Sequence, residues 1–516
     1  MKPISKWLAV LAAIQVVLPF LLQSQYYEPH RDEFLYLAES SHLAWGYMEA
    51  PPLLSLFGWM ASYCGGGLFW IKIWPALFGA FTFVLVGKMV IQLGGKTLAL
   101  ILCWLPFILD AYLRLFFLFQ PNFLEVFFYT AIAFCWFQWM KTEKPQWIYL
   151  SGIAVGLGVL SKASVVFYAV GILAGILITQ QRKIFKIKHI YLAAFIAGLI
   201  ILPHFIWQYQ HQFPFIHHMQ LLHQSQLQYV SSQDFLKGQL LLNLPCFYIW
   251  IIGLIWVLLS TAGKKYRLFG WAYITVIVLL LLLHGKDYYA LGLYPLFFGF
   301  GAYAIEQFTQ THHRWLLYPV ISFSIILGIF AWPVLLPIAT PKQLAVYYTR
   351  THLNQTDLFK WEDQQMHPLP QDFADMIGWK STTAKLSNFY NHLPETEKNN
   401  TLIFSRNYAF AGAMNYYGKQ YHLPEVFSDD ASFVLWMPNH YHIQNIILIA
   451  KHLPNKNDTA FHMFERYTVI DSLNNPLARE NGTKIIYFQN AQPHFNQWLN
   501  KRVAALKAPY YRNALQ

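Results

Sequence analysis

The sequence predicts a mainly α-helical protein that crosses a membrane many times and ends in a smaller α/β region. Of its 516 residues, 56% are hydrophobic, 18% are aromatic and only 12% are charged. A soluble protein carries about 25% charged residues, so this shortage of charge indicates a polytopic membrane protein. The mean hydropathy of +0.32 agrees. The formal net charge of +12 does not predict a nucleic-acid partner, because the basic residues form short clusters between apolar runs, which is the pattern that sets membrane topology.

A membrane-spanning helix needs about 20 mostly apolar residues. About eleven stretches are candidates: 7–23, 67–87, 97–114, 122–140, 146–162, 163–181, 190–207, 241–261, 268–284, 290–309 and 315–337. The first lacks a small-residue cleavage site, so we expect a retained signal anchor. The pair at 146–181 stays open between one long helix, two short helices and a re-entrant hairpin around Ser161 and Lys162.

The distribution of basic residues predicts the orientation, because loops rich in Lys and Arg stay inside. With the N-terminus inside, the inner segments hold Lys2, Lys6, Lys88, Lys96, Lys141, Lys144, Arg182, Lys183, Lys186, Lys188, Lys264, Lys265, Arg267 and Arg314. Most of the acidic residues fall on the opposite edge. An odd number of spans then places the C-terminal region outside, on the same side as the loop that contains Asp32.

The composition changes at about residue 338, where charges and asparagines become more frequent and the apolar runs shorten to strand length. The predicted strands cover 401–405, 445–450 and 484–489, and the predicted helices cover 408–417 and 495–507. Strands that alternate with helices are typical of an α/β domain. We therefore expect a transmembrane domain over 1–337 and an extracytoplasmic α/β domain over 338–516.

Ionisable residues at a membrane edge are functional candidates, and here they collect on the outer side. They are Arg31, Asp32, Glu33, Glu49, Asp110, Arg114, Asn122, Glu125, Lys162, His204, His211, His217, His218, His223, His284, Lys286, Asp287, Tyr288 and Tyr289. A carboxylate in such a set would take a proton from an acceptor hydroxyl, and Lys or Arg would stabilise a departing phosphate. Acids and histidines would hold a divalent ion, although no HExxH-type spacing supports one.

Plainer interpretations of the same residues stay open. Asp32 would then be a solvated loop acid, and Lys286 with Asp287 an interfacial ion pair. Tyr288 and Tyr289 would be aromatic-belt anchors.

An ordered series of segments resembles the family 39-type, PMT-like glycosyltransferases. The segments are 30–36 (HRDEFLY), 47–53 (YMEAPPL), 156–162 (GLGVLSK), 203–214 (PHFIWQYQHQFP), 285–295 (GKDYYALGLYP), 369–379 (LPQDFADMIGW) and 407–413 (NYAFAGA). The match is collinear over nearly the whole chain, and it extends to the bacterial lipid A aminoarabinose transferases. The resemblance implies the GT-C architecture, in which catalytic loops lie on the outer face of a helix bundle in the inner membrane.

The resemblance also implies an activity. Such an enzyme transfers a hexose or pentose, with inversion, from a polyprenyl-phosphate carrier to a hydroxyl group of a lipid, glycan or protein. Asp32 would be the general base and Glu33 would support it. The donor phosphate-binding residues would be Lys286, Tyr288, Arg114 and Lys162. Glu49 with His217 or His218 would hold a divalent metal if one is used, and Asn122 or Glu125 would occupy a second acidic site.

Two departures from the family and three alternatives limit this prediction. Many family members have an aspartate near the start of the fourth span, where this chain has Asn122 and Glu125 as candidates. Ala50 stands where the aminoarabinose transferases have a lysine before the double proline, which argues against that particular activity. The main alternative is a flippase or transporter of a lipid-linked sugar, although the inverted repeats typical of transporters are not evident. A ligase that moves a whole glycan and a membrane scaffold are the others. Catalytic dependence on Asp32 would separate the enzyme from the transporter and the scaffold.

Overall fold

The computed structural model describes residues 2–311, 315, 317–453 and 461–511, and it is mainly helical as predicted. Arg314, one of the basic residues used to assign the orientation, lies outside the described residues. The α-helices are α1 (Lys2–Leu22), α2 (Arg31–Ser41), α3 (Leu53–Tyr63), α4 (Leu68–Leu93), α5 (Thr97–Leu109), α6 (Tyr112–Leu115), α7 (Pro121–Thr142), α8 (Gln146–Ser161), α9 (Val165–Ile178), α10 (Lys188–Gln210), α11 (Pro214–Ser225), α12 (Ser232–Leu241), α13 (Phe247–Leu259), α14 (Arg267–Leu282), α15 (Tyr294–Thr311), α16 (Leu317–Leu335), α17 (Pro341–Arg350), α18 (Gln371–Ala374), α19 (Trp379–Asn391), α20 (Glu395–Lys398), α21 (Tyr408–Tyr417), α22 (Phe433–Trp436) and α23 (Phe495–Lys507).

Every predicted span corresponds to an apolar helix. Among the described residues, seven helices are long and apolar enough to cross a membrane: Ile4–Leu22, Leu68–Leu93, Pro121–Thr142, Lys188–Gln210, Gly263–Leu282, Asp287–Gln310 and Leu317–Leu335. Two more spans are bent pairs: α9 is bent by 102° against the following turn, and α12 by 67° against the helix that contains α13. The two remaining predicted spans are the shorter apolar helices α5 and α8.

The uncertain stretch at 146–181 forms two short helices. Helix α8 ends at Ser161 and α9 begins at Val165. On α8, Gly152 lies so close to the backbone carbonyl of Ala193 on α10 that a Cβ atom would not fit there, which is how small residues allow close packing of membrane helices. The break after α8 presents Lys162 to the first turns of α7.

The C-terminal region contains a five-stranded sheet with the strand order β2-β1-β3-β5-β4. The strands are β1 (Thr401–Ser405), β2 (Phe427–Ser428), β3 (Asn445–Ala450), β4 (Phe464–Ser472) and β5 (Lys484–Ala491). Strands β2, β1 and β3 are parallel, whereas β5 runs antiparallel to both β3 and β4. The three predicted strands are β1, β3 and β5, and the two predicted helices are α21 and α23.

Helix α2 belongs to the hydrophobic core of the C-terminal region, although it lies in the first loop of the chain. Phe34 on α2 is fully buried and packs with Trp379 and Phe410. On α21, Gly412 approaches the backbone of Phe34 so closely that a larger side chain would displace one of the two helices. This packing fixes the start of α2 against the C-terminal region.

Candidate active site

The acidic pair predicted from the sequence lies in the first turn of α2. The Nδ1 atom of His30 accepts a hydrogen bond of 3.2 Å from the backbone N–H of Asp32. In return, Oε2 of Glu33 accepts one of 2.7 Å from the backbone N–H of His30. This reciprocal capping box satisfies two N–H groups that a helix start leaves free, and the helix dipole favours the negative charges there.

Asp32 is an accessible carboxylate. Its side chain is 35% exposed. The hydroxyl of Tyr408 donates a hydrogen bond of 2.7 Å to Oδ1, and the amide of Gln120 approaches Oδ2 at 3.4 Å. Burial raises the pKa of Asp32, but the charges of His30 and Arg31 and the Tyr408 hydrogen bond outweigh it, so that the pKa falls below its ordinary value. Asp32 is therefore ionised at neutral pH and has the form that a general base requires.

Glu33 is fully buried, and both of its oxygens are occupied. The Nζ atom of Lys72 lies 2.6 Å from Oε1 and 2.7 Å from Oε2. The backbone N–H of Phe119 donates a further hydrogen bond, of 2.6 Å, to Oε1. Because Glu33 has no oxygen facing solvent, its place in the structure is that of a support for the start of α2.

A second group of predicted residues gathers at the start of α7. The Nζ atom of Lys162 donates to Oδ1 of Asn122 at 2.7 Å and to Oε2 of Glu125 at 2.6 Å. The same ammonium lies 5.6 Å from the ring centre of Tyr288 and 4.7 Å from that of Tyr289. Glu125 also accepts from the hydroxyl of Ser164. The two aromatic faces and the two oxygens leave Lys162 well fixed.

Lys286 connects this group with the acidic pair. Its Nζ atom donates to Oε1 of Gln226 at 2.6 Å and lies 6.0 Å from the ring centre of Tyr288. Burial lowers the pKa of Lys286, and the negative charges of Glu362, Asp32 and Asp287 oppose that shift. A series of contacts links the two predicted residues: the Gln120 amide lies 3.4 Å from Asp32, Asn122 donates to Gln120 at 3.4 Å, and Asn122 accepts from Lys162, which shares the Tyr288 ring with Lys286.

Arg114 belongs to a network of charges with the C-terminal region. It forms an ion pair with Asp372, and Arg479 forms one of 2.9 Å with the buried Asp375. The Nε2 atom of His30 faces both carboxylates, at 3.6 Å from Asp372 and 3.8 Å from Asp375. Arg114 is therefore already paired with a carboxylate.

The same network contains the one group of three potential metal ligands that the described residues offer. It consists of His30, Asp372 and Asp375, whose ligand atoms lie within 4.8 Å of one another. This spacing suits a divalent ion, but the charge does not, because Arg114 and Arg479 already neutralise the carboxylates and would repel a further cation. We therefore assign no catalytic step to a metal in this network.

The metal ligands implied by the resemblance are Glu49 with His217 or His218. In the part of the chain that is described, no group of three potential ligands contains Glu49, His217 or His218. Glu49 instead accepts a hydrogen bond of 2.5 Å from the hydroxyl of Ser432. The ring of His217 lies 6.2 Å from that of Tyr510, between centres. The metal site implied by the resemblance remains a prediction.

Sequence reasoning missed the contribution of the C-terminal region to this site. Tyr408, Asp372 and Asp375 all contact the start of α2 or its neighbours. The only signal for them was that segments 369–379 and 407–413 belong to the ordered series of family-like segments. Nothing local showed that Tyr408 would meet Asp32, 376 positions away.

Comparisons with known proteins support the predicted family. Residues 49–207 match the family model described as dolichyl-phosphate-mannose-protein mannosyltransferase. No curated protein sequence matches the chain.

Solved structures give a wider match, at low sequence identity. ArnT from Cupriavidus metallidurans in the apo state aligns with a TM-score of 0.62 and 10% identity over 93% of this chain and 97% of that chain. The same protein bound to undecaprenyl phosphate aligns with a TM-score of 0.60 and 12% sequence identity, over the same fractions of the two chains. A third match is the oligosaccharyltransferase AglB from Archaeoglobus fulgidus, in complex with an inhibitory peptide and a dolichol-phosphate. It aligns with a TM-score of 0.51 and 10% sequence identity over 86% of this chain and 69% of that chain.

The sequence match runs from Glu49 to Trp207, near the end of α10, and does not include Asp32, whereas the structural matches cover the bundle and the C-terminal region together. The resemblance and the fold class predicted from the sequence are confirmed. The chain is a polytopic membrane protein with the GT-C fold, similar to ArnT, and it carries the sequence pattern of the mannosyltransferase family over residues 49–207.

Proposed function

We propose that this protein is an inverting glycosyltransferase that moves a sugar from a polyprenyl-phosphate carrier to a hydroxyl acceptor. The observation that carries the proposal is the accessible carboxylate of Asp32, which is connected through Gln120, Asn122, Lys162 and Tyr288 to the ammonium of Lys286. A base and a cation so placed suit the two ends of a group transfer from phosphate. The fold shared with ArnT, one structure of which contains undecaprenyl phosphate, supports the choice of carrier.

The reaction follows from these two charges. The acceptor oxygen attacks the anomeric carbon of the sugar while its proton passes to Asp32. The bond between that carbon and the phosphate oxygen breaks, and the bonding electrons leave with the polyprenyl phosphate. Lys286 stabilises the negative charge that develops on the departing phosphate. Attack from the face opposite the phosphate inverts the configuration of the sugar.

We assign the other candidate residues supporting roles. Lys162 is held by Asn122 and Glu125, and with Tyr288 it forms a fixed wall for the donor beside Lys286. Glu33 fixes the turn that presents Asp32. Arg114 is paired with Asp372 and adds positive charge near the base. Each of these groups acts before the chemical step, by holding a reacting partner in place.

The proposal includes a location and a division of the chain. Residues 1–337 would form the catalytic bundle in the inner membrane, with the N-terminus in the cytoplasm. Residues 338–516 would lie outside, where α21 and the segment around Asp372 close over the start of α2. The carrier's tail would occupy the bilayer and its sugar the outer edge. The acceptor would be a lipid, a glycan or a protein, and the sugar a hexose or a pentose.

A transfer assay in detergent tests the proposal against the flippase alternative. Purified protein in micelles is given radiolabelled polyprenyl-phosphate hexose or pentose with an extract of envelope lipids and glycans as acceptors. A transferase releases the label from the carrier without a bilayer, whereas a flippase has no compartments to connect and leaves the carrier intact. Release of label above a protein-free control supports the proposal. Intact carrier in micelles, with movement of the same carrier across proteoliposome membranes, would overturn it.

A further inference from the structure

We propose that Tyr408 is a positioning residue for Asp32, so that the active site is complete only when the C-terminal region is docked on the first loop. This inference rests on the proposed function and adds a part that the family-like loops of the bundle do not contain. It concerns the helix α21, which lies outside the segment matched by the family model.

The hydrogen bond between the two side chains selects one oxygen of the base. The Tyr408 hydroxyl donates to Oδ1 of Asp32 at 2.7 Å. The nearest amide donor to Oδ2 is Gln120, at the longer distance of 3.4 Å. A carboxylate held through one oxygen cannot rotate freely, so Oδ2 keeps one position, beside Gln120 and His30, from which it could accept a proton. A misplacement of about 1 Å in such a group costs on the order of a hundredfold in rate.

Tyr408 is itself held from three directions. The guanidinium of Arg31 lies 5.0 Å from the centre of its ring. Its backbone N–H approaches Oδ2 of Asp430 at 3.4 Å. The preceding residue, Asn407, caps α21 by accepting from the N–H of Ala409 at 2.8 Å, and donates to Glu480 at 3.2 Å. A side chain fixed in this way can hold another in place.

The backbone beneath the pair is equally constrained. Gly412, one turn after Tyr408, packs directly on the backbone carbonyl of Phe34, which lies two residues after Asp32. Helices α2 and α21 therefore cannot slide past each other without breaking this contact. The distance between Tyr408 and Asp32 is set by the packing of two helices and not by the two side chains alone.

A matched control lies on the same helix. Tyr416 also donates a hydrogen bond from α21 to the first part of the chain, to the backbone carbonyl of Gly66 at 2.8 Å. Tyr416→Phe removes the same hydroxyl and a comparable interdomain hydrogen bond, but it does not touch the base. Any loss due only to weaker docking of the C-terminal region should appear in both variants.

The test compares Tyr408→Phe and Tyr416→Phe in steady-state transfer assays, with melting temperatures as a check on folding. We expect Tyr408→Phe to lower kcat by about tenfold to a hundredfold while the KM for the donor changes less than about twofold. Tyr416→Phe should leave kcat and KM close to the wild type. Equal kcat in both variants would overturn the inference.

Asp32→Asn, assayed alongside, separates this inference from the proposed function. If Asp32→Asn transfers sugar at the wild-type rate, the assignment of the base fails and Tyr408 has nothing to position. If Asp32→Asn is inactive while Tyr408→Phe behaves like Tyr416→Phe, the function stands and only the role of Tyr408 is rejected.

Discussion

The ammonium of Lys72 lies 2.6 Å from Oε1 of Glu33, and both side chains are almost completely buried. Lys72 comes from α4, a membrane span, and Glu33 from the turn that presents Asp32. The ion pair thus connects the helix bundle to the start of α2. The sequence analysis assigned Glu33 a supporting role beside Asp32. In the structure, Glu33 pairs with Lys72 and caps the helix turn that contains Asp32.

Lys72→Met should destabilise the protein strongly, because it leaves a buried carboxylate without its cation. Breaking one side of a buried ion pair costs about 3–5 kcal/mol. We expect a large drop in melting temperature, measured by thermal unfolding in detergent. The double variant Lys72→Met with Glu33→Gln, which removes both charges, should recover much of the loss. Equal stability of the single and double variants would show that the charge of Glu33 is not what makes the single variant unstable.

The buried carboxyl group of Glu49 should make the free energy of unfolding depend on pH. Burial raises its pKa to about 7, although the hydrogen bond from Ser432 lowers it in part. The buried neighbour Glu39, whose pKa is also raised by burial and by the charge of Glu49, lies beside it. Since the ordinary pKa is 4.5, the native protein between about pH 4.5 and about pH 7 still holds a proton that the unfolded chain has already lost. The contribution of this bound proton to the free energy of unfolding is fully present below pH 4.5 and is lost as the pH rises through about 7.

Glu49→Gln has no carboxyl group to ionise, so it should not lose stability as the pH rises. Its melting temperature relative to the wild type should therefore rise between pH 5 and pH 8, by roughly 2 °C or more. Glu395→Gln, at a side chain that is 79% exposed, is the control and should show no such trend. A difference between Glu49→Gln and the wild type that stays constant across this range would mean that Glu49 does not titrate abnormally.

Loss of the Lys286 charge should reduce the rate of sugar transfer more than it reduces the stability of the fold. Lys286→Met removes the positive charge but keeps much of the side chain's length, so we expect kcat/KM for the carrier-linked sugar to fall by about a hundredfold to a thousandfold. Lys286→Arg should restore part of the activity, because it restores the charge. Lys237→Met, at an exposed lysine of α12, is the control. A normal rate for Lys286→Met would remove this residue from the site.

The helix bundle was predictable because membrane-spanning helices need long apolar segments, and each apolar segment predicted from the sequence forms a helix in the structure. The C-terminal sheet was predictable where its strands are buried, as in β3, but β4 was missed. Most residues of β4 are exposed and polar or charged residues interrupt its apolar ones, so it lacks the pattern of a buried strand. The two-residue strand β2 is too short to leave any pattern.

The site was predictable only in part, for a different reason. Asp32 and Lys286 stand out because charges are rare beside membrane spans. The partners that define their chemistry, Tyr408 for Asp32 and Gln226 for Lys286, are ordinary residues until folding brings them close. Composition and spacing carry no information about a contact between positions 32 and 408.

The most direct test of the proposed function is transfer of labelled sugar from polyprenyl phosphate by Asp32→Asn, in detergent, against the wild type. The substitution keeps the size of the side chain and removes the base, and Asp357→Asn, at an exposed position of the C-terminal region, controls for the exchange itself. We expect Asp32→Asn to lose at least about a hundredfold in rate at equal protein levels, while Asp357→Asn keeps the wild-type rate. Transfer by Asp32→Asn at the wild-type rate would contradict the assignment of Asp32 as the base and with it the proposed mechanism.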